Sequence, residues 1–508
     1  MTPDASEVPG GRTVRRGLFG AAIGFAWVAG LFVAGPLVGG FGVAAIAEGI
    51  IVRSPGWLST LAVRLLGFAA IPTLVAGVVV AVVGATALVA IVWPSGSDGV
   101  AAVAVGSLVA TGTLFFAGGV EIAVGTFVAL VVAVVSPTAA ARWLPAAVAT
   151  DDSTGSDRRQ FLSRLGTVSV LGLVSLGALR ILFERLVEDR SDVRVGEPLE
   201  SSVSPPGGDP AFDFEGMPAA ITSPDAHYTV DIDVRPPPID SETWTLDIEG
   251  AVGEPYSLSY DELLEHGESV EQPTTMVCIS NQVGGDLIGT GHWSGVPLSA
   301  LVGAAEPAET AVDVVTHAED GYSEAIPIGL IEREDILIAY GLGERTLPAE
   351  HGFPARLLVP GRYGMKMTKW IDRIEVRTED HEAYWEARGW DEEAVVNTLA
   401  YVRGAERDGD RVRVGGVAFG GLETGAEEIA AVEVSVDGGE TWQEAELERQ
   451  VAPHAWRRWR YGFDAPDRSE FEVLARAIER DGTVQTEERT DPRPGGSTGW
   501  HRTTVRPG

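Results

Sequence analysis

Three side chains in this 508-residue chain stand out for the chemistry they could do. Cys278 is the only cysteine, so it has no partner for an internal disulfide. A structural zinc site, which draws on two to four cysteines, is equally out of reach. A lone thiol is then a small buried hydrophobe, a nucleophile, or one soft ligand to a metal held mainly by something else. Of 38 Lys and Arg, only Lys366 and Lys369 are lysines. A chain that has dropped lysine elsewhere but keeps two, three residues apart beside Tyr363-Gly364, points to point-charge binding of a phosphate or an anionic substrate.

These residues need elements to position them. Cys278 follows a short apolar run and precedes Gly284, Gly285, Gly289 and Gly291, so the sequence predicts a strand that ends at the thiol and a tight turn after it. Alternating segments predict strands over 228–234 and 244–250, and short helices are expected at Ser259–Glu265, with Ser259 as cap, and at Pro297–Val302. Residues 223–395 therefore read as an α+β domain without a nucleotide fingerprint or phosphate loop. From Val396 to the C-terminus the texture changes to closely spaced strands, at 411–419, 430–436, 456–463, 471–478 and 485–489, an all-β immunoglobulin-like sandwich.

Cys278-Ile-Ser-Asn281, Gly-Gly-Asp-Leu-Ile-Gly289 and His292-Trp293-Ser-Gly-Val-Pro-Leu resemble the sulfite oxidase family of molybdopterin enzymes. The resemblance continues in Asp320-Gly321-Tyr322 and in HGFPARLLVPGRYGMKMTKWIDRIEV, His351 to Val376, and covers roughly Tyr228 to His501. It implies that the Cys278 thiolate ligates molybdenum, that Tyr322 stands beside the metal, and that Asn281 and His292 belong to the cofactor-binding set. Lys366 and Lys369 then hold the cofactor phosphate or an anionic substrate, with Trp293, Arg356 and Arg362 on the substrate side. The sandwich resembles the dimerisation domain of the same family, which implies a possible homodimer. Two departures weaken the case for sulfite itself. Gln282 and Val283 stand where the family has arginines after the asparagine, and His292 stands where it has an arginine before the tryptophan.

The N-terminal part is of another kind. From Gly17 the chain is apolar for over a hundred residues, far more than a soluble core helix uses. We expect an α-helical membrane domain over 1–184 with about five spans, near 17–38, 68–93, 99–118, 119–137 and 163–183, and a stalk and linker over 185–222. The basic flanks at Arg12–Arg16 and Arg158–Arg164 place both ends of the first four spans in the cytoplasm and the domains after 184 outside. Ser156–Leu162, with Arg158-Arg159, resembles a twin-arginine export signal, which suits a domain folded around its cofactor before export. The apolar part contains no histidine and only Met1, so it offers no axial ligands for a haem. Electrons are therefore expected to pass to a separate carrier.

The formal net charge is −34, and it falls almost entirely after Glu184. That excludes a phosphate-binding surface for nucleic acid and, with so little lysine, suggests a protein adapted to high salt. The most direct functional expectation is oxygen-atom transfer at a Cys278-ligated molybdenum, acting on a small oxyanion or sulfur-containing substrate. A reductase of sulfoxides such as oxidised methionine, and a non-catalytic surface protein with a degenerate cofactor fold, are the alternatives.

Overall fold

The structure is a computed structural model that describes residue 28 and residues 70–92, 194–199, 204–232, 236–332, 335–421, 429–464 and 469–507. The chain divides into two compact units, 1–191 with 232–235, and 192–231 with 236–508.

In the first unit the main described element is helix α1 (Ala70–Val92), 23 residues without a charged side chain. Pro72 falls in its first turn, where the missing N–H costs nothing. The helix coincides with the span expected near 68–93. Those near 17–38 (residue 28 apart), 99–118, 119–137 and 163–183, and Arg158-Arg159, lie outside the described residues. Counting only described side chains, no helix is long and apolar enough to cross a membrane.

The second unit begins with an α+β lobe of two sheets. One runs β2 (Tyr256–Ser259), β1 (Thr245–Gly250), β10 (Ile371–Arg377), β5 (Asp313–Ala318), β6 (Ser323–Pro327), antiparallel except for the β1–β10 pair. The other runs β3 (Val270–Val277), β4 (Ile288–Pro297), β7 (Leu337–Leu342), β8 (Arg345–Thr346), with β9 (Arg356–Leu358) also on β7. Leu246, Ile248, Trp293, Ile338, Leu357 and Ile374 from both sheets share one core with Leu298 and Leu301 of helix α3 (Leu298–Ala304). Between β2 and β3, helix α2 (Tyr260–Leu264) starts on a capping box, Ser259 with Glu262, and buries Tyr260 and Leu263. The one-turn helix α4 (Ile328–Ile331) follows β6.

A sandwich follows. One sheet is β11 (Leu399–Asp408), β12 (Arg411–Phe419), β16 (Arg457–Asp464), β15 (Glu446–Leu447); its partner is β14 (Gln443–Glu444), β13 (Ile429–Ser435), β17 (Phe471–Glu479), β18 (His501–Val505). Inward-facing Val412, Val414, Val432, Val434, Trp459 and Val473 fill the space between them. A third cluster joins lobe to sandwich, with Val277, Ile279, Tyr363 and Met365 from one side and Leu399, Tyr401, Phe419 and Trp456 from the other.

Three expectations need correction. The segment 228–234 is no strand where it is described: 228–232 is irregular, because Tyr228 turns its hydroxyl into the lobe instead of pairing along a sheet edge. Residues 485–489 are irregular too; Gln485 spends its side chain on Ala477 N–H and Gly499 O. And the described part of the expected linker between 204 and 222 does not stand free. Phe212 is buried, and the Arg458 guanidinium beneath it bonds Asp209 O, Asp213 and Pro218 O as well as Glu448. A guanidinium only 1 % exposed needs acceptors for its five N–H groups; the docked segment supplies three and Glu448 two.

Candidate active site

Cys278 sits immediately after β3, where Val277 forms a parallel bridge with Tyr363. Its thiol is 8 % exposed and lies 3.0 Å from Ser280 Oγ. Burial pushes the thiol's pKa up, and the contacts with Ser280 work the other way. The turn that follows is closed by Asn281. Its Oδ1 accepts from Leu287 N–H at 3.2 Å and its Nδ2 donates to Gly285 O at 3.4 Å. Its amide is thus committed to the loop that carries the cysteine, as a turn residue's would be.

Around the thiol the lobe assembles buried polar groups from distant parts of the chain. The Tyr228 hydroxyl lies against Gly364 and within electrostatic reach of both Cys278 and Arg356, and burial drives its pKa well up. Arg356 on β9 is 3 % exposed, with its guanidinium 5.1 Å from the Trp293 ring centroid and Nη1 donating to His351 O at 3.1 Å. Burial lowers its pKa to about 10, while Tyr228 opposes the shift. His227 packs edge-on against Trp293 and His351; burial lowers these two histidines to about 3 and about 4, so both stand neutral at physiological pH.

Lys369 approaches the same region. Gly352, at φ 106°, passes so close that an added Cβ would press on Cβ of both Lys369 and Arg356. Burial pushes the Lys369 ammonium down to about 7; it touches the Asp231 carboxylate, and Glu350 O accepts a bond from it at 2.9 Å. Trp370 next to it sits at φ 53°, a left-handed conformation that is uncommon for a bulky residue and costs about 1–3 kcal/mol.

The remaining expected residues go elsewhere. Lys366 is buried between Glu324 (2.6 Å) and Glu386 (2.8 Å), so it is no open cation for a phosphate. Burial acts against its charge, and the two carboxylates outweigh burial and raise its pKa. Glu324, fully buried, is pushed up to about 7 by desolvation, with Lys366 opposing. The Tyr322 hydroxyl donates to Met365 O at 2.5 Å and lies 3.4 Å from Glu324 Oε2. His292 alternates with Trp293 along β4 and so faces the other way, with Nε2 3.6 Å from Glu271. Trp293, with none of its surface exposed, is a floor under Arg356 rather than a pocket rim. Arg362 donates to Glu393 O at 2.9 Å, on the outside of the turn.

Sequence reasoning missed Tyr228, His227, His351 and Glu324. His227-Tyr228 ahead of an apparent strand was a signal only in hindsight, because the strand pattern absorbed it.

Among the described residues, Tyr228 OH and Arg356 Nε are buried without a hydrogen-bond partner. Other buried atoms, such as Trp459 Nε1 in the sandwich, also lack partners, but these two lie together beside the thiol, where a further group would complete them. A soft sulfur beside a phenol and an unspent guanidinium fits an anionic, sulfur-ligated metal cofactor.

Comparison with known proteins points the same way. Residues 233–385 match the oxidoreductase molybdopterin binding domain family, and residues 392–507 match the Mo-co oxidoreductase dimerisation domain family. The chain is 28 % identical to mitochondrial sulfite oxidase of Rattus norvegicus over 380 residues, covering 62 % of this chain and 69 % of that one. It is 26 % identical to an NADH nitrate reductase of Brassica napus over 299 residues, 47 % of this chain and 32 % of that one. The crystal structure of the sulfane dehydrogenase SoxCD from Paracoccus pantotrophus aligns with a TM-score of 0.49 at 21 % identity, over 62 % of this chain and 88 % of that one. With a molybdopterin-binding lobe ending a strand at Cys278 and a dimerisation sandwich packed behind it, the chain is a sulfite oxidase-like molybdenum cofactor oxidoreductase.

Proposed function

We propose that this enzyme moves an oxygen atom between water and a small sulfur or nitrogen oxyanion at a molybdenum ligated by Cys278, and exchanges electrons with a separate carrier. The observation that carries this reading is the group around the thiol: Tyr228, with its hydroxyl unpartnered, and the buried Arg356, with Nε unpartnered. When bound, the cofactor supplies the two-electron chemistry and an exchangeable oxygen; the protein binds, orients and tunes it. Cys278 would contribute the protein sulfur. Arg356, with Lys369 beyond it, would neutralise an anion, the cofactor's phosphate or the substrate. His227 and His351, kept neutral, add no competing charge.

A second reading, reduction of a neutral sulfoxide, draws on the loop after Cys278. Gln282 and Val283 bring no charge there, and the guanidinium nearest the loop, Arg403, spends its donors on Gly284 O and Gly285 O. One pair of assays separates the two: sulfite with ferricyanide as acceptor, and methionine sulfoxide with a reduced viologen as donor. Turnover in the first supports oxyanion oxidation, turnover only in the second supports the reductase, and failure of purified protein to hold molybdenum overturns both. In the active direction, Cys278→Ser should abolish turnover while leaving the fold intact.

We further propose that the apolar N-terminal region anchors the enzyme in the membrane, exported through Arg158-Arg159 with the site outside, and that the sandwich pairs two copies. The support for the anchor is the sequence, which stays apolar for over a hundred residues from Gly17. Protease accessibility in intact cells, lost on changing both arginines to lysine, tests the export route.

A further inference from the structure

The loop after Cys278 is gripped from outside its own lobe. Ser497 Oγ donates to Asn281 O at 2.7 Å and the Tyr401 hydroxyl to Gln282 O at 3.4 Å. Arg403 Nη1 and Nη2 donate to Gly284 O at 2.9 Å and Gly285 O at 2.6 Å. All four carbonyls are therefore held by the sandwich domain. The His501 ring completes the grip. It packs on Gly284, at φ 81°, where any Cβ would run into it, and its Nδ1 accepts from Val402 N–H at 3.0 Å. Inside the loop, Cys278 N–H donates to Leu287 O at 3.0 Å and Cys278 O accepts from Asn281 N–H at 2.9 Å. Both backbone groups of the cysteine are thus tied to the segment that the sandwich holds.

Arg403 is the centre of this arrangement. Its side chain is 14 % exposed, whereas its ion-pair partner Asp286, at 3.1 Å, is 97 % exposed. So exposed a carboxylate contributes little, and the two carbonyl bonds fix the guanidinium's place. A planar fork spanning consecutive carbonyls is a geometry that an ammonium cannot reproduce.

We propose that Arg403 is a positioning residue for Cys278: by bridging Gly284 and Gly285 from the sandwich, it sets the direction in which the thiol is presented. The dimerisation domain is then part of the active site's framework. The inference rests on the reading of Cys278 as the metal's protein ligand, and the test keeps the two separable.

Arg403→Lys retains the charge and loses the fork; Arg403→Met loses both. In full-length protein, molybdenum and pterin content, the thiolate-to-metal charge-transfer absorption, kcat and KM are measured. In protein produced without molybdate, the rate at which a thiol reagent modifies Cys278 is measured as well. Both variants should shift the absorption band and lower kcat about tenfold or more, with KM within about twofold, because misplacement of a reacting centre weighs on the chemical step. Cys278 should react several-fold faster in both, lysine giving no rescue. An unchanged absorption band and modification rate, or full rescue by lysine, overturns the proposal. A wild-type protein without molybdenum would sink the metal-ligand reading, and the modification rate would still judge what Arg403 does.

Discussion

Two polar clusters lie in the same lobe, and they differ in what they leave undone. Around Lys366 the ammonium meets Glu324 and Glu386, Glu324 also accepts from Ala325 N–H, and Glu386 from Ala383 N–H. Around Arg356 the guanidinium gives one bond to His351 O, and its Nε and the Tyr228 hydroxyl stay unpartnered. Both clusters contain a buried cation. Only the second lacks the partners that burial demands, so the first reads as framework and the second as the place where an anion completes the structure.

The sharpest way to break this comparison is to remove each cation in turn. Lys366→Met should leave two buried carboxylates facing each other and cost about 3–5 kcal/mol, the usual consequence of stripping one partner from a buried pair. Thermal unfolding of cofactor-free protein reads this directly. A change below about 1 kcal/mol would mean that Lys366 is not framework at all.

The same cluster sets a pH dependence of somewhat smaller size. The Glu324 carboxyl titrates at about 7 in the folded protein, raised first by burial, against an ordinary value of 4.5. Between those two values the folded chain keeps a proton that the unfolded chain has released, so stability falls as pH rises through the window. The total loss is on the order of 3 kcal/mol at 1.4 kcal/mol per unit. Lys366, whose pKa is raised, loses its contribution only above the ordinary lysine value and does not disturb the window. His227 and His351, held neutral by burial, give the opposite slope below the ordinary histidine value, so the effect is read as a difference: Glu324→Gln should gain stability relative to wild type as pH rises from 5 to 7. A wild-type-minus-variant difference that stays constant over that range would return Glu324 to a permanently charged partner of Lys366.

Arg356→Met sharpens the other side. Exchanging an unsatisfied buried cation for an apolar side chain should alter the stability of cofactor-free protein by no more than about 1 kcal/mol, and can even raise it. Molybdopterin content, by contrast, should collapse. If loading is normal and stability drops as for Lys366, the two clusters are of one kind.

What the sequence disclosed follows from range. Cys278 and its turn were legible because type and spacing are local, and the sandwich strands β12, β13, β16 and β17 because turn residues punctuate them. Ser259 was legible as a cap because its partner is three residues away. Lys366 was singled out correctly as unusual, but its partners lie 42 and 20 residues off, and no local pattern pairs them. Tyr228 and His351 reach the site only through the fold, 50 residues before and 73 after Cys278. The docked segment 204–222 was illegible for a different reason: two of the groups that hold it to Arg458 are backbone carbonyls, which carry no sequence signature.

The smallest effect is expected at Arg362, and it bears on where the anion-binding region ends. The resemblance placed Arg362 with Arg356 on the substrate side. They are six residues apart, and the chain separates them completely in environment. Arg356 is buried over Trp293, whereas Arg362 donates to Glu393 O beside an isolated bridge to Val395, on a partly exposed turn. A hydrogen bond at such a site is worth about 1 kcal/mol or less, since water replaces it readily. Arg362→Ala should then change unfolding stability by less than about 1 kcal/mol, leave molybdopterin content as it was, and move KM for the active substrate by less than about twofold. A KM rise of tenfold or more at unchanged loading would extend the substrate path to Arg362. The boundary between saturated framework and unsatisfied site would then run on the far side of the Tyr363 turn.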